Sequence, residues 1–334
     1  MSKNPDWKSL QKFFHGKKRI LITSHVHPDG DAIGSEIAIA EYLRQKGADV
    51  YIINSDPTPS FFAFITGDQG IEQYNGELHA SLIPTLDGCV VVDISDWARL
   101  KDIGRLVHQH QIPVACVDHH IPTDHMGQIQ INLQHASSTG EVLYRFFKAA
   151  RVTLNNTMVN ALYLCVLTDT GSFRYSNTTP YALRMAADLL KKGAEFKTIF
   201  EQVYESDSQA RMILKGRMLA ELRFECQGRL AYFTLTQAML RETGAEMWET
   251  EGFSELPRLV KGVEISIMFT ETADGHVKVS FRSKGHLPIN GLAGQFGGGG
   301  HLYAAGATLA MPLSEGMDQV LNAARTYCCS TSTE

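Results

Sequence analysis

Six cysteines are spread over 334 residues without a single C-x-x-C pair, and three of them (Cys89, Cys116 and Cys165) sit inside apolar runs. A disulfide framework or zinc knuckle is therefore not expected. No apolar run reaches the length of a membrane span, so no membrane partner is expected. There is also no basic excess: 31 Lys and Arg stand against 36 Asp and Glu, a net charge of -5. That balance argues against a stable complex with long nucleic acid, while leaving room for a local basic pocket. Internal repeats and low-complexity segments are missing too. The opening "MSKNPDWKSLQKFFHGKK" lacks the apolar core and small-residue cleavage site of a signal peptide, and Trp7, Leu10 and Phe14 instead share one helical face. A cytoplasmic protein is the expectation.

What is present is an alternation of short apolar runs and helical patterns. "RILITSH" (19–25), "DVYIIN" (49–54), "GCVVVDISD" (88–96) and "IPVACVDHH" (112–120) read as buried strands, with helical stretches over 32–46 and near 99–110 between them. Such βα units imply an α/β fold with a mainly parallel sheet. From about Ser137 to Leu222 the pattern is mostly helical. Beyond that, "RLAYFTLTQ" (229–237), "VEISIMFTE" (263–271) and "HVKVSFRS" (276–283) alternate like half-buried antiparallel strands, and a helix closes the chain from about Ser314. The expected layout is a larger domain over 1–195, a helical linker over 196–222 and a smaller α/β domain over 223–334.

The stretch richest in chemistry is "SHVHPDGDAIGS" (24–35). His25 follows a buried strand, Asp29 and Asp31 flank Gly30, and Pro28 stiffens the turn, so several metal ligands can converge from one loop. The plainer reading makes Asp31 a helix cap and Asp29-Gly30 a turn. Three further sites weigh against it. Asp93 ends one apolar strand, Asp118, His119 and His120 end another, and Asp169 interrupts the apolar helix "LCVLTDTGSF". In parallel sheets, ligands gather at the carboxyl ends of strands. A buried carboxylate without a partner is costly, which asks for a cation nearby. Imidazole mixed with carboxylate suits manganese, zinc or iron better than calcium, and a shared carboxylate suits a two-metal site.

The series "SHVHPDGDAIGS", "VVVDISD", "VDHH" and "TDTGSFRYSN", followed by "SFRSKG" and "FGGGGHLYAAGA", resembles the motifs of the DHH phosphoesterase family and its associated C-terminal domain, in order along nearly the whole chain. Within that family it is most similar to the small bacterial enzymes that degrade short oligoribonucleotides and dephosphorylate 3'-phosphoadenosine 5'-phosphate. The resemblance implies two divalent ions, with manganese the expected metal. His25, Asp29 and Asp93 would hold one; Asp31, Asp93, His119 and Asp169 would hold the other, with Asp93 bridging. Asp118 would orient an imidazole, His120 would face the scissile phosphate or the leaving oxygen, and a bridging water would attack phosphorus. The family layout puts the active site in a cleft between the two domains.

The same resemblance points to Arg282, Gly300 and His301 as holders of a terminal phosphate or nucleotide. Ser283 and Gly299 join them on residue chemistry: guanidinium binds phosphate bidentately, and glycines let backbone N–H groups come close. His15, His79, His108, His110, His125 and His135 show no ligand spacing and read as surface residues, and Lys284 and His286 read as solvated. The substrates implied are short RNA and nucleotide bisphosphates, and self-association as a homodimer is left open. A cyclic dinucleotide phosphodiesterase could share every metal ligand, and a non-catalytic nucleotide-binding module is the rival from another class.

Overall fold

Strands β1 (Arg19–Thr23), β2 (Asp49–Asn54), β3 (Ile71–Gln73), β4 (Gly88–Val92), β5 (Val114–Asp118) and β6 (Ile129–Asn132) form one sheet in the order β3-β2-β1-β4-β5-β6. Every neighbouring pair in it is parallel. This is a computed structural model, and it describes residues 5–67 and 70–330, with all their side chains except those of His301, Cys329 and Ser330. The chain divides into two units, one ending at Ser206 and the other beginning at Asp207. Among the described residues, no helix is long and apolar enough to cross a membrane.

The parallel sheet explains the unbroken apolar runs, because both of its faces are covered. Ile20, Ile22, Val90, Val92, Ala115 and Val117 join a core with Ile37, Phe146 and Leu162. The alternate residues Leu21, Cys89, Val91, Val114 and Cys116 join a second core with Ile103 and Val107 on the opposite face. Strand order reverses at β1, which has β2 on one side and β4 on the other. That switch point is where a parallel sheet opens a crevice beyond its strand ends, and the loops carrying His25 and Asp93 both leave there.

Three helices on the first face pack closely through small residues. A Cβ on Gly34, in the helix Gly30–Gln45, would lie 2.5 Å from the carbonyl oxygen of Ala161 in the helix Asn156–Asp169. A Cβ on Gly140, in the helix Thr139–Ala149, would lie 2.2 Å from Cys165 Cβ. Close approach of these three backbones brings Asp31, Thr139 and Asp169 to one place.

The second unit holds β7 (Arg223–Glu225), β8 (Leu230–Leu235), β9 (Ile265–Glu271), β10 (Val277–Ser283), β11 (Gly299–His301) and β12 (Ala304–Leu309), ordered β11-β12-β10-β9-β8-β7. Its pairings are antiparallel except β8 with β9, which is parallel. The all-antiparallel expectation fails there because the chain between these strands crosses over through the helix Gln237–Thr243 and the turns Met247–Thr250 and Phe253–Leu259. The helix Leu313–Ser330 covers one face. The stretch read as a linker is shared out: Phe196–Tyr204 belongs to the first unit and Gln209–Ala220 to the second.

Candidate active site

Asp93 is the first residue beyond β4 and takes a left-handed backbone (φ 61°) while its N–H still donates to Val117 O at 3.0 Å. A non-glycine residue in that region costs on the order of 1–3 kcal/mol and persists only where its surroundings hold it. Its two oxygens face different partners. Oδ2 lies 3.3 Å from His25 Nε2, and Oδ1 lies 3.7 Å from His119 Nε2. Around the first oxygen, His25, Asp29 and Asp93 form a group whose ligand atoms all lie within 4.8 Å of one another, and Asp31, His119 and Asp169 form another. Asp93, His119 and His120 form a third. His119 Nε2 is 3.8 Å from Asp31 Oδ2 and 3.6 Å from Asp169 Oδ2.

Both imidazoles are set to offer a lone pair. His25 Nδ1 donates to Val26 O (2.8 Å) and His119 Nδ1 donates to Ala136 O (3.1 Å), since a carbonyl oxygen can only accept. Nε2 is then the free ligand atom on each ring, the arrangement that metal-binding histidines use. His119 Nε2 is buried and has no hydrogen-bond partner among the described residues. An orphaned buried nitrogen aimed at three carboxylates fits a cation.

The carboxylates point the same way. Burial, then the charges of Asp93, Asp169 and Asp29, push Asp31 well above the usual carboxylate range. Burial and the charges of Asp93 and Asp29 push Asp169 up to about 8. Burial also acts to raise Asp93, but the imidazoles of His25, His120 and His119, in their protonated form, hold it low. Without positive charge this cluster repels itself.

The plainer reading of the first loop needs correcting in one respect. Asp29, not Asp31, caps the helix Gly30–Gln45, its Oδ1 accepting from the N–H groups of Asp31 and Ala32. Asp31 lies inside the first turn, and its carboxylate accepts from Thr139 N (2.6 Å) and Gly140 N (2.9 Å), at the positive end of another helix. Thr139 Oγ1 donates to Asp93 Oδ1 (2.9 Å). Asn177 Nδ2 donates to both the carbonyl and the carboxylate of Asp169 (3.0 and 3.3 Å). These supports were not singled out from sequence. The one available signal is that Asn177 closes the stretch "TDTGSFRYSN" that also holds Asp169.

Asp118 holds an imidazole, that of His120. Its Oδ1 accepts from the backbone N–H groups of His119 and His120 and from His120 Nδ1 (2.8 Å), and its Oδ2 accepts from Ser95 Oγ (2.5 Å). It orients His120, while the Ala136 carbonyl orients His119. The Asp118 hydrogen bond is the largest influence lifting His120 to about 9. Outside the site, His79 is buried rather than surface, its Nδ1 accepting from Asn75 N and its Nε2 pairing with Glu72.

In the second unit, register puts Arg282 opposite Ala304 and Ala304 opposite His301, one row across three strands. The side chain of His301 lies outside the described residues. Gly300 (φ 140°) is demanded by close packing, since a Cβ there would sit 2.6 Å from Ala304 O, whereas Gly299 faces open space. Ser283 does not join this row. Side chains alternate along β10, so Ser283 falls on the buried face, its Oγ accepting from Gly285 N. Lys284 Nζ donates to Val260 O and is not a free cation.

Comparison with known proteins agrees over most of the length. The description "DHH family, N-terminal domain" matches residues 19–168, and "DHHA1 domain" matches residues 231–329. A Thermus thermophilus protein named bifunctional oligoribonuclease and PAP phosphatase is 31% identical over 92% of this chain and 89% of its own. A Bacillus subtilis protein of the same name is 28% identical over 87% and 89%. The crystal structure of an exopolyphosphatase-related protein from Bacteroides fragilis superposes with a TM-score of 0.90 at 27% identity, covering 97% of this chain and 96% of that one. With the motifs of its first unit gathered beyond the carboxyl ends of the parallel sheet and a relative 31% identical over 92% of its length, this chain belongs to the DHH phosphoesterase family.

Proposed function

We propose that the chain hydrolyses RNAs of roughly two to five nucleotides to mononucleotides and removes the 3'-phosphate of 3'-phosphoadenosine 5'-phosphate, in the cytoplasm, with two divalent ions, manganese first among them. The observation that carries this reading is Asp93, whose two oxygens each face a separate histidine and carboxylate group. His25, Asp29 and Asp93 would hold one ion; Asp31, Asp93, His119 and Asp169 the other. Bound there, the ions would neutralise phosphate oxygens and lower the pKa of an attacking water.

The chain's own residues supply position and charge. Thr139 and the helix N-terminus beneath Asp31 hold the carboxylates in place before substrate arrives, which is electrostatic preorganisation. Asp118 holds the His120 ring by Nδ1 and leaves Nε2 uncommitted for a substrate or leaving-group oxygen. Arg282 and the glycine run would grip a terminal phosphate. The names of the relatives favour short RNA and PAP as substrates, and the net charge of -5 disfavours a long polyanion.

The test is a panel of 3'-phosphoadenosine 5'-phosphate, RNA dimers to pentamers, cyclic di-AMP and an RNA of about 24 nucleotides, chosen to exceed a single short binding groove. Each is measured with manganese and after chelation. Turnover of the dimers and of the bisphosphate, abolished by chelation, is expected. Activity that survives chelation rejects the metal reading, faster cleavage of the long RNA rejects the short-substrate reading, and preference for cyclic di-AMP reassigns the enzyme to cyclic dinucleotides.

A further inference from the structure

The residue expected to bind phosphate is already holding an anion. Arg282 Nε donates to Glu255 Oε1 at 2.5 Å and its Nη1 donates to Phe281 O at 2.9 Å, while Nη2 has no partner among the described residues. Glu255 Oε2 accepts from Nη1 of a second arginine, Arg258, whose Nε is buried with no hydrogen-bond partner among the described residues. One carboxylate thus serves two guanidinium groups and leaves a net positive charge and an orphaned donor, which is costly to bury.

We propose that Glu255 is the resident occupant of this anion cradle and that Arg258 is its second guanidinium, so that a phosphate monoester binds by displacing Glu255. This rests on the reading that Arg282 grips a terminal phosphate. Three observations support the exchange. The Glu255 side chain is 45% exposed, and ion pairs in such positions are weak and give way to solvent or a better anion. A phosphate monoester brings up to two negative charges and three acceptor oxygens, enough to satisfy both guanidinium forks where one carboxylate cannot. The row Arg282, Ala304, His301 has only a methyl group at its middle position, so no bulky side chain fills it. The turn that presents Glu255 is anchored by buried Phe253 and Pro257 and by Ser266 Oγ donating to Ser254 O, so the carboxylate can swing without moving the arginines' supports. By competing with the ligand, Glu255 sets how strongly a phosphate end is preferred over a hydroxyl end.

The experiment compares an RNA dinucleotide carrying a 5'-phosphate with the same dinucleotide lacking it, in the manganese-loaded full chain, together with sulfate as a competitive inhibitor. For Glu255→Gln, the ratio of kcat/KM for the phosphorylated over the unphosphorylated substrate should rise about threefold, the worth of an exposed ion pair. The inhibition constant for sulfate should fall alongside it. Arg258→Ala should lower the same ratio by about tenfold, as loss of a charged phosphate contact does. Arg258→Lys, which keeps the charge, guards against a folding defect and should fall between. If Arg282→Ala leaves the ratio unchanged, the parent reading of the cradle fails. If Arg282→Ala lowers it but Glu255→Gln lowers it too, or leaves it and sulfate inhibition unchanged, Glu255 is a support for Arg282 and the displacement proposal is overturned.

Discussion

The two charged clusters of this chain solve opposite problems. In the first unit, Asp31 and Asp93 are buried close to other carboxylates, and backbone and side-chain donors are spent on holding the cluster in place: the Thr139 helix N-terminus for Asp31, Thr139 Oγ1 for Asp93, Asn177 for Asp169. In the second, two arginines share one half-exposed carboxylate and stay within reach of water. A permanent cofactor calls for a rigid, desolvated cage whose self-repulsion the ion relieves. A substrate that must arrive and leave calls for a cradle with a weak occupant. The buried Asp31 and Asp93 at the centre of the first cluster mark the difference from the half-exposed Glu255 of the second.

The hardest test of that contrast is Asp93→Ala. It removes the carboxylate that both groups share, so turnover should fall by at least about 10³-fold, with manganese binding lost in calorimetry. Normal turnover would remove the basis for treating the first cluster as a metal cage. Arg282→Ala should cost on the order of 10²-fold in kcat/KM while metal stoichiometry stays at the wild-type value. If metal binding falls with it, the two regions are not the separate devices described.

Packing offers a sharper probe with glycines. Gly140→Ala forces a methyl group into Cys165 Cβ and should destabilise the protein by about 1–3 kcal/mol in denaturant unfolding, with activity falling as the helix beneath Asp31 shifts. Gly299→Ala, facing open space, should stay within about 0.5 kcal/mol of wild type. Equal losses at the two positions would mean that the cradle is packed as tightly as the cage.

The smallest effect concerns Glu36, fully buried on the helix Gly30–Gln45, with Oε2 accepting from Asn54 Nδ2 and Oε1 without a hydrogen-bond partner among the described residues. Burial pushes its carboxyl up to about 7, above the ordinary value of 4.5. The folded state therefore binds this proton more tightly than the unfolded chain. The contribution to stability is complete below the unfolded value and is lost as pH rises through the folded one. Between about pH 6 and pH 7 the loss should be about 1 kcal/mol, and Glu36→Gln should flatten that part of the profile. A variant with the wild-type slope places the pH dependence elsewhere.

Reading the sequence alone was enough to find the parallel βα unit and to single out His25, Asp29, Asp31, Asp93, His119 and Asp169, because strand periodicity and the position of polar residues at strand ends are local properties of the chain. The limits appear wherever partners are distant in sequence. Asp118 orients His120 rather than His119 because the Ala136 carbonyl, from a later loop, claims the His119 ring. Asp29 takes the cap because Asp31 is drawn 108 residues away to Thr139. β8 and β9 run parallel because of the crossover between them, which alternation of apolar residues cannot reveal. Ser283 turns to the core while its neighbour Arg282 turns out and meets Glu255, 27 residues earlier. Sequence determined which groups stand as candidates for the chemistry, since residue type and short-range geometry are written in it. Only the tertiary structure decided which oxygen faces which nitrogen, because those pairings depend on long-range packing and strand register, where a shift of one residue exchanges the two faces.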